Sequence, residues 1–173
     1  MANTQGLLNK EKPGLSQKFR GRLPTKTLWQ SYTDMNESTA SVAVVLTELL
    51  RKCLNIQNIY REKDGEAGLL FIHKANPKPD LILLDIKLPK LDGYGVLKNL
   101  KKDEKYQSIP VIIISSTSNQ TEINYCYQLG VTGYIIKPIG YEELKQKIKG
   151  LGEYLSVVSL PDQGYTGYED LTL

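Results

Sequence analysis

From about residue 40 onward, two kinds of hydrophobic pattern alternate along this chain. The first recurs at helical spacing. Val42, Val45, Leu46, Leu49, Leu50 and Cys53 form one apolar stripe and predict an amphipathic helix over 40–54. The second is short and continuous. Leu81-Ile82-Leu83-Leu84 and Val111-Ile112-Ile113-Ile114 show no polar alternation, which predicts strands buried on both faces. Ile56 to Arg61 and Tyr134-Ile135-Ile136 are further strand candidates, the latter also read as buried. Helical segments separate them. Asp64-Gly65 opens one, with Ala67, Leu70 and Phe71 expected on its apolar face and a stop near Asn76-Pro77. Asp92-Gly93 opens another, carrying Val96, Leu97 and Leu100. Asn119 is an expected N-cap for a helix holding Ile123, Cys126 and Tyr127, closed by Gly130. Leu144, Ile148, Leu151 and Leu155 mark the last.

Fully apolar strands separated by helices of 10–15 residues are the pattern of repeated βαβ units. The predicted architecture is a doubly wound α/β sandwich, in which sites form at the carboxyl ends of strands. Three polar residues follow or close the buried runs: Asp85, Ser115 and Lys137. They lie 30 and 22 residues apart, yet a parallel sheet brings them to one edge. A carboxylate there can attack phosphorus, while an ammonium and a hydroxyl hold the oxygens of a transferred phosphoryl group. Strand-end polar residues are common one at a time. Three converging on one rim point to a site.

Composition narrows the partners. The 173 residues are 40% hydrophobic and 24% charged, an ordinary globular balance. The net charge of +3 combines +5 in residues 1–26 with −2 in the remainder. A solvated, disordered leader explains the basic segment better than a nucleic-acid contact, because only Phe19 interrupts it and no apolar face recurs. No stretch approaches a membrane span and no secretion signal is visible, so a cytoplasmic protein is expected. Two unpatterned cysteines suit a reducing compartment, and with one histidine they cannot make a zinc site alone. Neither phosphate-binding nor dinucleotide-binding glycine loops are present. An aspartate-nucleophile phosphatase of the haloacid-dehalogenase kind would want a second aspartate where Lys87 stands.

The segment Leu-Ile-Leu-Leu-Asp85-Ile-Lys-Leu-Pro89-Lys-Leu-Asp92-Gly93 resembles the phosphoacceptor segment of response-regulator receiver domains. Ile-Pro110-Val-Ile-Ile-Ile-Ser115-Ser is similar to their fourth strand, and Gly-Tyr134-Ile-Ile-Lys137-Pro138 to their fifth. Glu62-Lys-Asp64-Gly65-Glu-Ala67 is similar to the opening of their second helix. The likeness spans about 40–158, with a weaker one at the carboxyl end to single-domain regulators paired with bacterial phytochromes. It implies the flavodoxin-like receiver fold, a five-stranded parallel sheet with helices on both faces. It also implies phosphorylation of Asp85 by a histidine kinase. Lys137 would pair with the phosphoryl group, Ser115 would turn toward it, and Tyr134 would rotate inward behind it. Mg²⁺ would be held by Asp85, the Lys87 backbone carbonyl and an acidic pair after the first strand.

That pair is where the chain departs from the family. Counting back along the first helix places it at Asn36-Glu37 or Glu37-Ser38, one acid where two are expected, with Asp34 the nearest second carboxylate. The first strand, expected near Leu28 to Met35, is interrupted by Gln30, Ser31, Thr33 and Asp34. The expectations are weak Mg²⁺ binding and a leader over 1–26, a receiver over 27–158 and a tail over 159–173. The receiver is expected to act as a switch, working through a downstream protein partner or a homodimer via the face of the last two helices and last strand. A receiver-like module that only binds protein is the alternative.

Overall fold

The computed structural model describes residues 26–30, 37–56 and 58–161, with side chains from residue 45 onward. In chain order the elements are β1 (Lys26–Gln30), α1 (Glu37–Leu54), β2 (Asn58–Glu62), α2 (Gly65–Lys74) and β3 (Leu81–Leu84). There follow α3 (Gly93–Lys102), β4 (Val111–Ser115), α4 (Gln120–Gln128), β5 (Gly133–Ile136) and α5 (Tyr141–Val157). The strands form one sheet in the order β2-β1-β3-β4-β5, and every neighbouring pair is parallel. This is the doubly wound fold that the alternating pattern predicts.

Successive residues of β3 and β4 feed opposite layers, as the two-residue period of a strand requires. Ile82, Leu84, Val111 and Ile113 pack with Ile72, Val96, Leu97, Leu100 and Cys126 from α2, α3 and α4. Leu81, Leu83, Ile112 and Ile114 pack with Leu46, Leu50, Ile148 and Leu155 from α1 and α5. β3 and β4 are therefore buried on both faces. Each fully buried Leu or Ile contributes about 1.5–3 kcal/mol relative to exposure.

Several sequence expectations are corrected. The first strand, expected near Leu28 to Met35, is described over Lys26–Gln30, where Thr27, Leu28 and Trp29 supply the β-favouring run; the rest of the expected span, 31–35, lies outside the described residues. It sits between β2 and β3, with Gln30 opposite Leu84. Tyr134-Ile135-Ile136 is only partly buried, because β5 is an edge strand with β4 on one side alone. On its open side, Lys147 Nζ donates to the Ile136 carbonyl at 2.9 Å. In α2, Leu70 is 53% exposed, and the buried stripe is Gly65, Gly68 and Ile72. The reason lies at the helix start: a β-carbon on Gly65 would collide with the Leu91 carbonyl, so α2 turns Gly65 to the β3–α3 loop. Tyr127 likewise leaves the α4 face to Cys126.

Candidate functional site

Asp85 follows β3 directly, Ser115 closes β4, and Lys137 follows β5. The sheet register carries the last two onto one rim, since Lys137 N–H donates to the Ser115 carbonyl at 2.7 Å. The Lys137 ammonium reaches back across β4 and forms an ion pair with Asp85 Oδ2. The other carboxylate oxygen, Oδ1, accepts from the backbone N–H of Lys87 at 3.2 Å. Asp85 is only 4% exposed and Ser115 is fully buried. A carboxylate so enclosed needs a partner of opposite charge, and Lys137 is that partner.

The surrounding loops are tightly drawn. After Asp85 the chain folds back so that Leu88 N–H and Gly93 N–H both donate to the Ile86 carbonyl, at 3.1 and 2.9 Å. Gly93 is required there, because a β-carbon would strike the Asp85 carbonyl. Asp92 then caps α3 by accepting from Gly95 N–H at 2.7 Å. On the other side, Thr117 N–H points at Ser115 Oγ at 3.5 Å, and the Tyr134 phenol donates to the Thr117 carbonyl at 3.2 Å. Burial pushes the Tyr134 phenol up, while the Ser115 hydroxyl beside it acts in the opposite sense.

The structure thus brings together Asp85, Ser115, Lys137 and the Lys87 backbone, with Tyr134 one step behind Ser115 through the β4–α4 loop. Glu37 is the first residue of α1, and its side chain lies outside the described residues, as does Asp34. Among the described residues, no group of three or more His, Cys, Asp or Glu side chains could hold a metal. Two features escaped the sequence reading. Lys90 Nζ pairs with Asp64 Oδ2 at 2.8 Å, and the Tyr94 phenol donates to Glu122 at 3.1 Å. Asp64 was marked only as a helix opener, and no periodicity points to Lys90.

Comparison with known proteins places this geometry. The response regulator receiver domain matches residues 38–149. The chain belongs to the response regulator receiver family. Response regulator Rcp1 of Synechocystis sp. is 29% identical over 143 residues, 73% of this chain and 97% of that protein. The probable methanogenesis regulatory protein FilR2 of Methanothrix harundinacea is 34% identical over 96 residues, 53% of this chain. The receiver spans 62% of that relative, less than two-thirds of its length. The phosphorylated cyanobacterial phytochrome response regulator RcpA superposes with a TM-score of 0.69 at 29% identity, over 79% of this chain and 99% of that one. Mn²⁺-bound Rcp1 gives 0.68 at 26% identity, with the same coverage. The family match begins inside α1 and omits β1, the strand whose sequence is least regular. Among the described residues no helix is long and apolar enough to cross a membrane.

The donor chemistry fits a hard divalent cation in part. Asp85 offers carboxylate oxygens and Lys87 a backbone carbonyl, the oxygen ligands that Mg²⁺ prefers. The other carboxylates that the sequence offers for this role, Asp34 and Glu37, have side chains outside the described residues.

Proposed function

We propose that this receiver is a two-component signalling switch that accepts a phosphoryl group on Asp85 from the phosphohistidine of a sensor histidine kinase. The observation that carries the reading is the enclosed Asp85–Lys137 ion pair beside Ser115 at the carboxyl edge of the sheet. An Asp85 carboxylate oxygen attacks phosphorus and forms a P–O bond as the P–N bond to the kinase histidine breaks. Lys137, already paired with Asp85, holds one oxygen of the arriving group by a charge-assisted hydrogen bond. Ser115 supplies a hydroxyl to another, which draws the β4–α4 loop inward and releases Tyr134 from the Thr117 carbonyl. Later attack of water on phosphorus returns the Asp85 carboxylate and inorganic phosphate. The chain turns over no separate substrate.

Mg²⁺ is the proposed cofactor, held by Asp85, the Lys87 carbonyl and Glu37, with Asp34 a further candidate. When bound, it neutralises charge on the phosphoryl oxygens. The phosphorylated state of RcpA and the Mn²⁺ in Rcp1 support both parts of this reading. Output passes through the face of α4, β5 and α5 to a downstream protein or a second copy. That face carries a groove of about 590 Å³ lined by Tyr127, Tyr134, Ile136, Lys147 and Tyr154. The receiver unit is assigned to residues 27–158, extended by Lys26 at the start of β1, between a basic leader and a tail. A cytoplasmic site of action accords with two unpaired thiols, Cys53 exposed and Cys126 buried.

The test is transfer of radiolabel from a phosphorylated histidine kinase, or from acetyl phosphate, with Mg²⁺ present. Wild type acquires acid-stable, base-labile label and Asp85→Asn does not. Equal labelling of the two proteins overturns the assignment of Asp85.

A further inference from the structure

We infer that Asp64 and Lys90 form a strut that positions the β3–α3 loop, and with it the Lys87 backbone, around Asp85. The inference deepens the reading of Asp85 as phosphoacceptor and rests on it. Neither residue touches Asp85; both act through the loop between them and the site.

Three observations converge on that loop. Lys90, at its tip, has φ of 62°, a left-handed conformation that costs a residue bearing a β-carbon about 1–2 kcal/mol. Such a conformation persists where its surroundings over-determine it. Here the Lys90 ammonium is held at 2.8 Å by Asp64 Oδ2, and the Asp64 side chain is 2% exposed. The other Asp64 oxygen caps α2, accepting from Ala67 N–H at 2.8 Å. The strut is thus anchored on a helix packed into the core through Ile72. Gly65 completes the attachment, since it lets the first turn of α2 lie directly against the Leu91 carbonyl.

The same loop starts at Asp85. Its two backbone–backbone hydrogen bonds, from Leu88 and Gly93, converge on the Ile86 carbonyl, whereas Lys90 at the tip is held from outside by Asp64. Lys87 lies between that closure and the strut, and its N–H reaches Asp85 Oδ1. An unanchored tip lets the Lys87 peptide rotate, which weakens both its hydrogen bond to the acceptor and its carbonyl as a metal ligand. Outer groups that orient ligands typically carry 10–100-fold in metal affinity.

The experiment separates positioning from simple stability. Lys90→Met alone strands a buried Asp64 carboxylate. Lys90→Met with Asp64→Asn removes the stranded charge, and asparagine still caps α2. Lys90→Arg keeps the ion pair. Amide hydrogen exchange over 86–90 is measured in metal-free protein, alongside urea unfolding and titration with Mg²⁺ plus beryllofluoride. The double variant is expected to recover stability relative to Lys90→Met, yet to exchange about tenfold faster over 86–90 than wild type. Its affinity should also be about tenfold weaker, while Lys90→Arg resembles wild type in both measurements. Loop exchange that follows global stability alone, returning to wild type in the double variant, overturns the strut. So does faster exchange with unchanged affinity. Failure of wild type itself to bind brings down the phosphoacceptor reading instead, and exchange in the metal-free protein then decides the strut by itself.

Discussion

Tyr94, in the first turn of α3, donates its phenol to Glu122 in the first turn of α4 at 3.1 Å. The bond ties the helix that begins after the Asp85 loop to the helix that follows Ser115. A second contact reinforces it: Lys98 Nζ lies 5.4 Å from the centre of the Tyr125 ring. Burial first, then Glu122, pushes the Tyr94 phenol well above the ordinary tyrosine range. Tyr94→Phe should lower stability by about 1 kcal/mol in urea unfolding. It should also remove the last-titrating phenol from the alkaline absorbance titration.

Lys137 neutralises Asp85, so its loss is felt twice. Lys137→Met should slow phosphorylation by about 10²-fold or more, measured as label incorporation. It should also cost about 1–3 kcal/mol of stability at neutral pH by stranding a buried carboxylate. The stability cost should largely vanish in an Asp85→Asn background. An undiminished cost there would mean that Lys137 acts by packing.

Asp64 sets an acid limit on stability. The hydrogen bond from Lys90, and then that from Ala67 N–H, hold its carboxyl below the ordinary aspartate value. The folded state therefore binds fewer protons than the unfolded one in that range. The stabilisation is complete above about pH 3.9 and drains away as pH falls below it toward the lowered folded value. Glu62, Glu66 and Lys63 surround the pair and modulate its field. Unfolding free energies of wild type and Asp64→Asn should differ most near neutral pH and converge in acid.

The apolar face of α2 can be checked by a pair of substitutions two residues apart. Ile72→Ala empties a fully buried site and should cost about 2–5 kcal/mol. Leu70→Ser should fall within about 0.5 kcal/mol of wild type, as surface substitutions do. A large loss at Leu70 would mean that α2 is rotated from the orientation seen here.

The parts legible in the sequence were those with one dominant cause. Leu81–Leu84 and Val111–Ser115 are apolar because both faces are covered, and Asp85 and Lys137 stand out as the first charges after apolar strand runs. Ser115 follows from the same pattern. Less legible were positions set by neighbours distant in sequence. Ala67, Leu70 and Phe71 read as one apolar face; Phe71 does pack against the core, but with Gly65 close against the Leu91 carbonyl the fully buried position is Ile72 and Leu70 is left exposed. β5 reads like β3, but lies at the sheet margin. β1 is central with little apolar regularity, and pairing on both sides, not its own pattern, fixes its span at Lys26–Gln30. Lys90 carries no local sign of its partner, which lies 26 residues upstream.

Lys147 of α5, which reaches the outer margin of β5, bears on whether the sheet can be extended. An open strand edge invites another strand to continue the sheet, the route by which folded proteins grow into aggregates. Lys147 occupies the Ile136 carbonyl at the upper end of that edge and sets a charge beside it. Backbone pairing at that point of the strand is blocked, while the tyrosines on the sides of α4 and α5, Tyr127 and Tyr154 among them, stay exposed. The exposed margin of the sheet is thereby kept from serving as a template for strand addition.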